Sequence, residues 1–246
     1  MDRTDRFGFV FVGDCRPDYA AMIRVIACLS AAFLLGACNP SPRGCADPPP
    51  PGPTLLSSPG DSAFQRVAPD TFIVRFGTSR GDFFVQVNRD WAPIGADRFY
   101  NLVRNGFYDG NRMYRVRPYF IAQWGVHGDP EVSEAWARMC IPDDPVRENN
   151  ARRRISFAFG QPGTRTTQVF INLALNNSLD RAGFAPFGEV IQGMAVVDSL
   201  YSGYGKMPPG GDGPDPRSII REGNIYLDRE FPLLDSILTA RVVAER

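Results

Sequence analysis

Alternating apolar and polar residues predict a β-hairpin early in the folded part of the chain. The segment "DTFIVRFGTSRGDFFVQVNRD" contains two strand-like runs on either side of a glycine-containing turn. In the second run, Phe83, Val85 and Val87 occupy alternate positions. Successive side chains of a strand point to opposite faces, so these three residues give the strand one apolar face.

The next segment changes to a helical period. In "APIGADRFYNLVRNG", Phe99, Leu102 and Val103 are spaced i, i+3 and i+4, which puts them on one face of a helix. Pro93 suits the first helical position, and Gly106 suits the C-terminal cap. The pattern predicts a helix with one buried stripe.

Short apolar runs, separated by Gly, Pro and Asn, continue towards the C-terminus. They are "RMYRV", "FIAQWG", "RISFAFG", "QVFINLA" and "FGEVIQG". A second short helix is predicted for "GMAVVDSLYS", with Met194, Val197 and Leu200 as its stripe, and "ARVVAE" is predicted to be the closing strand. Many short strands with two helices favour a β-barrel or sandwich with the helices set apart.

Composition and charge limit the classes of function. The 27 basic and 27 acidic residues cancel, which argues against nucleic-acid binding, because phosphate binding needs a surplus of Lys and Arg. The single histidine, His127, excludes imidazole metal clusters, and its Gly/Pro-rich loop indicates a solvated position. The basic run Arg152 to Arg154 is interpreted as a solvated turn.

Residues 22–38 have the pattern of a bacterial lipoprotein signal. Arg24 precedes about a dozen apolar residues, and the run ends in "LGAC", which resembles a lipobox whose cysteine, Cys38, is lipidated. Residues 1–21 are unusual before a signal, so we expect an incorrectly assigned or disordered N-terminus, with Met22 as the true start. A short buried helix is the weaker interpretation of this apolar run.

A Pro-rich segment, residues 39–66, is predicted to be a semi-rigid tether in front of one folded domain, residues 67–246. With the signal removed and Cys38 lipidated, Cys45 and Cys140 remain of the five cysteines. A disulfide between tether and domain and a free, buried Cys140 are both compatible with the sequence.

One strand-like run, "MYRVRPYFIAQWG", contains two polar residues that need a reason to be there. Arg115 lies between Tyr114 and Val116, and Gln123 precedes Trp124. Buried polar side chains are costly unless they are hydrogen-bonded. Arg115 and Gln123 are therefore predicted to form hydrogen bonds with each other or with a ligand.

Four segments of the chain resemble the cyclophilin family of peptidyl-prolyl isomerases. "NGFYDGNRMYRV" resembles the segment that ends in the catalytic arginine, and "PYFIAQWG" resembles the Phe-x-x-Gln-Gly stretch with Trp124 in place of one Gly. "TTQVFINLALNNSLD" resembles the Ser-Gln-Phe-Phe-Ile motif, and "FAPFGEVIQGMAVVD" resembles Phe-Gly-x-Val-x-x-Gly-Met. The resemblance runs from about residue 71 to residue 204, and four motifs in the right order are specific. It implies a mainly β fold, a closed eight-stranded antiparallel barrel capped by two α-helices.

By this resemblance, Arg115 is the catalytic arginine and Gln123 orients it or bonds the substrate carbonyl. The substrate-binding positions implied by the resemblance are Phe120, Ile121, Ala158, Phe159, Gly160, Gln168, Phe170, Ser178, Leu179 and Phe184. Taken one at a time, an arginine in a strand is usually a solvent-face residue, and a phenylalanine is usually core. Their joint spacing favours a site.

Four of these positions depart from the family pattern. Ser178 replaces a frequent tryptophan, Phe159 replaces a usual asparagine, and Gly160 replaces a usual alanine. Phe184 falls near the family's histidine, with one residue inserted between. We interpret these departures as a change of ligand preference.

The resemblance implies a peptidyl-prolyl cis-trans isomerase that assists the folding of secreted or envelope proteins. No cofactor and no metal are expected, because rotation about a peptide bond makes and breaks no bond. The expected partners are proline-containing unfolded or exposed polypeptide segments and, through the lipid anchor, a membrane. We expect a monomer in the bacterial cell envelope, facing the periplasm or the exterior.

Two other functions remain open. A non-catalytic proline-peptide-binding module or holdase would keep the groove and lose turnover, as the departures at Ser178, Phe159 and Phe184 would allow. A purely architectural envelope lipoprotein is the third possibility, although it would have no need of Arg115 and Gln123 together.

Overall fold

One antiparallel sheet of eight strands organises the protein in the computed structural model, which describes residues 54–246. The strands are β1 (Thr71–Thr78), β2 (Gly81–Asn88), β3 (Arg115–Arg117), β4 (Ile121–Trp124), β5 (Arg154–Phe157), β6 (Val169–Asn172), β7 (Pro186–Gln192) and β8 (Ile237–Glu245). Their order across the sheet is β3-β4-β6-β5-β7-β2-β1-β8. The predictions on residues 1–53, including the signal and the lipidation of Cys38, lie outside the described residues.

The sheet curls but does not close into a barrel. Its two edges are β3 and β8, and an isolated bridge between Arg112 and Ser236 lies where they approach each other. In the described residues β3 pairs with β4 and β8 pairs with β1, and no ladder joins the two edges. The mainly β, eight-stranded antiparallel architecture is confirmed, whereas the prediction of a closed barrel is not supported.

The predicted hairpin is confirmed as β1 and β2. Phe76 and Phe83 face each other across the pair, and their rings stack with centroids 4.8 Å apart. Phe83, Val85 and Val87 are fully buried, as the alternation predicts. This face of the hairpin forms part of the main hydrophobic core inside the curl of the sheet.

The first predicted helix is α1 (Pro93–Arg104), which begins at the expected proline. Phe99, Leu102 and Val103 are buried against the core, and Gly106 follows the helix with a φ of +74°. Glycine adopts this left-handed conformation without the steric cost that a Cβ adds. The helical period in the sequence is therefore confirmed.

Five further α-helices lie among residues 54–246. They are α2 (Pro130–Trp136), α3 (Asn177–Arg181), α4 (Met194–Asp198), α5 (Pro216–Glu222) and α6 (Asn224–Glu230). The second predicted helix corresponds to α4, and its Val197 and the following Leu200 are buried. The others have five to seven residues, which is too short to show a clear helical period. Within the described residues, no helix is long and apolar enough to cross a membrane.

A buried carboxylate caps α1 from a distant loop. The residue before α1, Ala92, has no side chain that could cap it. Asp144 accepts hydrogen bonds from the backbone N–H groups of Ile94 and Gly95, both at 2.9 Å. Its second partner is the Arg165 guanidinium, 2.9 Å away, and the two side chains are 1% and 2% exposed. Asp144 thus ties the start of α1 to the segment before β6.

Residues 54–66, predicted to be part of the tether, pack against the folded domain. Phe64 is buried and meets the Trp136 ring edge-on, with centroids 4.9 Å apart. The Trp136 indole N–H also donates to the Leu56 carbonyl at 2.7 Å. Leu56 and Phe64 supply the contacts with Trp136, although the segment as a whole is rich in proline and poor in apolar residues.

Cys140 is half-buried and forms a disulfide, so it is not a free thiol. It is the only cysteine among residues 54–246. The second cysteine of the bond lies outside the described residues, so the alternative of a disulfide with Cys45 stays a prediction.

Arg152 and Arg153 of the basic run are exposed in a turn, as the sequence predicts, whereas Arg154 and His127 are half-buried. Arg152 pairs with Asp198 at 2.6 Å, and the half-buried Arg154 lies 4.1 Å from the centroid of the Trp91 ring. His127 is half-buried, and desolvation lowers its pKa below the usual value. Its imidazole is therefore neutral at pH 7, with Nδ1 accepting a backbone hydrogen bond 3.0 Å long.

Candidate functional site

The two unexpected polar residues bond to each other. In the register of β3 and β4, Arg115 lies directly opposite Gln123. Nη1 of Arg115 donates to Oε1 of Gln123 at 2.9 Å. Because the two residues are 2% and 1% exposed, this bond offsets part of the cost of burying them.

Two neighbouring side chains fix the orientation of the Gln123 amide. Its Nε2 donates to the Tyr114 hydroxyl at 2.9 Å and to Oε1 of Gln168 at 3.0 Å. The Tyr114 hydroxyl in turn donates to the same Gln168 oxygen at 2.5 Å. Both amide hydrogens are thus in use, and the amide oxygen faces the guanidinium.

Burial also affects the charge of the guanidinium. Desolvation, followed by the nearby charge of Arg117, lowers the pKa of Arg115 to about 10. Arg115 still carries its charge at neutral pH. Its Cζ atom lies 5.8 Å from the centroid of the Phe120 ring, and the Arg117 guanidinium lies 4.9 Å from the same ring.

A small apolar cluster lies beside this polar network, separate from the main core. We call it the site cluster, and its members are Ile121, Ala158, Phe159, Phe170, Leu179 and Phe184, with Phe120 and Ala182 packed against it. Seven of the ten sequence-predicted substrate-binding residues belong to it. The structure therefore brings most of the predicted positions together.

Strand pairing places the site cluster next to Gln123. Phe170 on β6 pairs with Gln123 on β4, which joins the cluster to the polar network. The rings of Phe159 and Phe184 stack with centroids 4.1 Å apart, and Phe184 meets Phe170 edge-on at 5.7 Å. A short turn after α3 positions Phe184, whose backbone N–H donates to the Leu179 carbonyl at 3.1 Å.

The other three predicted residues lie outside the cluster. Gln168 belongs to the polar network instead. Gly160 is half-buried and follows Phe159 directly, and Ser178 is exposed on α3, next to the buried Leu179. Ser178 does not contribute to the apolar cluster at this position.

Tyr114 and Arg117 are contacts of the site that sequence reasoning missed. Tyr114 is 1% exposed, and in the sequence its aromatic body makes it look like an ordinary strand residue. The only available signal was its position beside Arg115, because a buried tyrosine hydroxyl needs a hydrogen-bond partner.

The arrangement joins a charged, multi-donor group to an apolar surface. Such a site can bind an apolar group while presenting hydrogen-bond donors to an atom at its edge. Within residues 54–246, no group of three or more His, Cys, Asp or Glu side chains could hold a metal ion.

Comparison with known proteins identifies the family. The family model described as cyclophilin type peptidyl-prolyl cis-trans isomerase/CLD matches residues 73–221, which is more than half of the chain. The chain belongs to the cyclophilin-type peptidyl-prolyl cis-trans isomerases. It is therefore an isomerase, as the resemblance of the four motifs predicts.

Relatives of this isomerase occur in bacteria. A peptidyl-prolyl cis-trans isomerase of Acinetobacter baylyi is 35% identical over 133 residues, which cover 52% of this chain and 71% of that protein. Peptidyl-prolyl cis-trans isomerase B of Escherichia coli is 31% identical over 137 residues, covering 52% and 83% of the two chains.

Solved structures support the fold. A cyclophilin type isomerase of Cryptosporidium parvum has a TM-score of 0.52 at 19% identity, covering 72% of this chain and 99% of that chain. The same isomerase in the presence of the dipeptide Ala-Pro has a TM-score of 0.51 at 19% identity, covering 70% and 99%.

Proposed function

We propose that this isomerase accelerates cis-trans rotation of X-Pro bonds in unfolded or exposed segments of secreted and envelope proteins. The observation that carries the proposal is the buried, charged Arg115, held by Gln123 at 2.9 Å beside the site cluster. A buried charge without such a task is a cost to the fold.

Rotation about an X-Pro bond can be catalysed by one hydrogen-bond donor. The barrier of about 18–20 kcal/mol arises from resonance between the nitrogen lone pair and the carbonyl. As the bond twists, conjugation is lost, and the proline nitrogen becomes pyramidal and basic. A donor aimed at that nitrogen stabilises the twisted state more than the planar one, and only such a difference accelerates the reaction.

Arg115 has the properties that this task requires. Its guanidinium keeps its charge at neutral pH and presents several donors in a planar fork. The hydrogen bond from Nη1 to Gln123 fixes the orientation of the fork beside the site cluster. The site cluster would receive the proline ring, with the aromatic rings of Phe120 and Phe170 as walls.

A binding module without turnover is the second candidate. The observation that favours it is the close stack of Phe159 on Phe184, two positions at which the family usually has other residues. Exchange spectroscopy on an Ala-Pro peptide separates the candidates. Accelerated cis-trans exchange supports the enzyme, and binding without acceleration supports the module.

We expect the activity to be independent of pH between about pH 6 and pH 9. Burial lowers the pKa of Arg115 only to about 10, so the guanidinium is charged throughout this range and loses its proton only above it. The pKa of the single histidine, His127, is lowered below its usual value, and this side chain is not part of the polar network. The measurement is kcat/KM as a function of pH. A drop on acidification through about pH 6.5, the usual histidine pKa, would contradict the account.

A lipid-anchored location in the bacterial envelope, facing the periplasm or the exterior, is the second part of the proposal. It rests on the signal-like segment 22–38 and its terminal Cys38. We expect the wild-type protein to sediment with membranes and to incorporate labelled fatty acid, and Cys38→Ser to do neither. Equal labelling of the two proteins would refute the assignment of Cys38.

A further inference from the structure

The insertion between the last motif and β8, residues 205–235, builds a third small core around a residue of the site. This core, here called the insertion core, consists of Tyr114, Val126, Met207, Ile219 and Leu227. Three of its members come from the insertion, and Val126 follows β4 directly. Tyr114, the residue before Arg115, is thus packed among insertion residues on one side and bonded to Gln123 on the other.

Hydrogen bonds and an ion pair tie the insertion to the segments before β3 and after β4, the strands that carry the polar pair. The backbone N–H of Asn224 donates to the carbonyl of Gly128, just after β4, at 2.9 Å. The Asn224 side chain donates to the carbonyl of Gly110, ahead of β3, at 3.0 Å. Asp228 pairs with Arg112, also ahead of β3, at 2.8 Å. These contacts fix the insertion relative to β3 and β4.

The Tyr114 hydroxyl lies where it can control the orientation of Gln123. It accepts from the Gln123 amide nitrogen at 2.9 Å and donates to Gln168 at 2.5 Å. Because the single hydroxyl hydrogen is used in the bond to Gln168, the hydroxyl oxygen can only accept from Gln123. The amide nitrogen of Gln123 must therefore face Tyr114, and its oxygen faces Arg115. Without the hydroxyl, one amide hydrogen loses its partner, and the amide is held less firmly, by its bonds to Gln168 and Arg115 alone.

We propose that Tyr114, held by the insertion core, is a positioning residue of the isomerase. It fixes the Gln123 amide and thereby the direction of the Arg115 guanidinium. The inference rests on the proposed role of Arg115 in catalysis. The insertion then affects the site indirectly, by immobilising Tyr114.

The test is Tyr114→Phe, which removes the hydroxyl and keeps the ring in the insertion core. We expect kcat for an Ala-Pro peptide to fall about tenfold, a factor typical of one misplaced hydrogen bond, while KM stays within about twofold. The side-chain amide protons of Gln123, observed by NMR, should exchange faster with solvent than in the wild type. The matched control is Tyr226→Phe, which removes a hydroxyl from a residue packed on the same core but not bonded to Gln123.

A double-mutant cycle separates the loss of Gln123 positioning from any general effect of Tyr114→Phe on stability. In a Gln123→Leu background the Tyr114 hydroxyl has no amide to position, so adding Tyr114→Phe should cause no further loss of kcat. An unchanged kcat in Tyr114→Phe, or equal losses with and without Gln123, would overturn the inference. If wild-type protein did not accelerate exchange, the proposed function itself would fail instead. If Arg115→Ala were fully active, the proposed role of Arg115 would fail, and with it the reason for positioning Gln123.

Discussion

Replacing Arg115 by alanine is expected to lower kcat/KM for an Ala-Pro peptide by about 10²- to 10³-fold, the usual effect of removing one preorganised donor to a transition state. The donor is buried and charged, and it has an apolar surface beside it, so water cannot readily replace it. The measurement is peptide exchange by NMR, with circular dichroism to establish that the variant is folded.

The matched control is Arg75→Ala. Arg75 also lies on a strand and pairs with Asp82 at 2.7 Å, but its side chain is 50% exposed and lies on β1. Exposed ion pairs contribute little to stability, so we expect wild-type activity and nearly wild-type stability. A folded Arg115→Ala variant with activity equal to that of Arg75→Ala would exclude Arg115 from catalysis.

Replacing Asp144 by alanine is expected to lower the free energy of unfolding by about 3–5 kcal/mol, the range for breaking a buried ion pair at one partner. Arg165 would keep a charge that is 2% exposed, and α1 would lose both N–H acceptors at its start. Urea denaturation followed by circular dichroism measures the change.

The neighbouring acid provides the control for this prediction. Asp143 contacts the same guanidinium at 3.2 Å, but its side chain is 31% exposed. We expect Asp143→Ala to cost about 1 kcal/mol or less, because solvent can replace much of what is lost. Equal destabilisation by the two substitutions would show that burial of the ion pair does not determine its contribution.

Elements with a clear local pattern could be predicted from the sequence. The β1–β2 hairpin follows from the alternation around Phe83, and α1 follows from Pro93 and the stripe that includes Phe99. In both cases the periodicity of one segment is enough to define the element. The order of the strands and the extent of closure depend on pairing between distant segments, so the closed barrel was not a safe prediction.

Contacts between distant segments account for most of what the sequence did not reveal. Nothing near α1 in the chain indicates that Asp144 caps it. The tether prediction extended too far because Leu56 and Phe64 are isolated apolar residues in a polar stretch, and their partner Trp136 lies far along the chain. Neither contact has a local signature.

The residues of the site were easier to predict than the residues that hold them in place. The resemblance of four motifs to the cyclophilin family implied Arg115, Gln123 and most of the site cluster, all of which the structure brings together. The role of Tyr114 could not be predicted, because it depends on the insertion core. The helices of that insertion, α5 and α6, have seven residues each. Short helices stabilised by tertiary packing show little periodicity in the sequence.

The most direct test of the account compares binding with turnover in a single titration of wild type and Arg115→Ala by NMR line-shape analysis of an Ala-Pro peptide. If the guanidinium acts on the twisted bond, the dissociation constant should change by no more than about threefold, while the exchange rate on the enzyme falls by about a hundredfold or more. If instead the affinity falls by the same factor as kcat/KM and the exchange rate on the enzyme is unchanged, Arg115 only binds peptide, and the central claim is wrong.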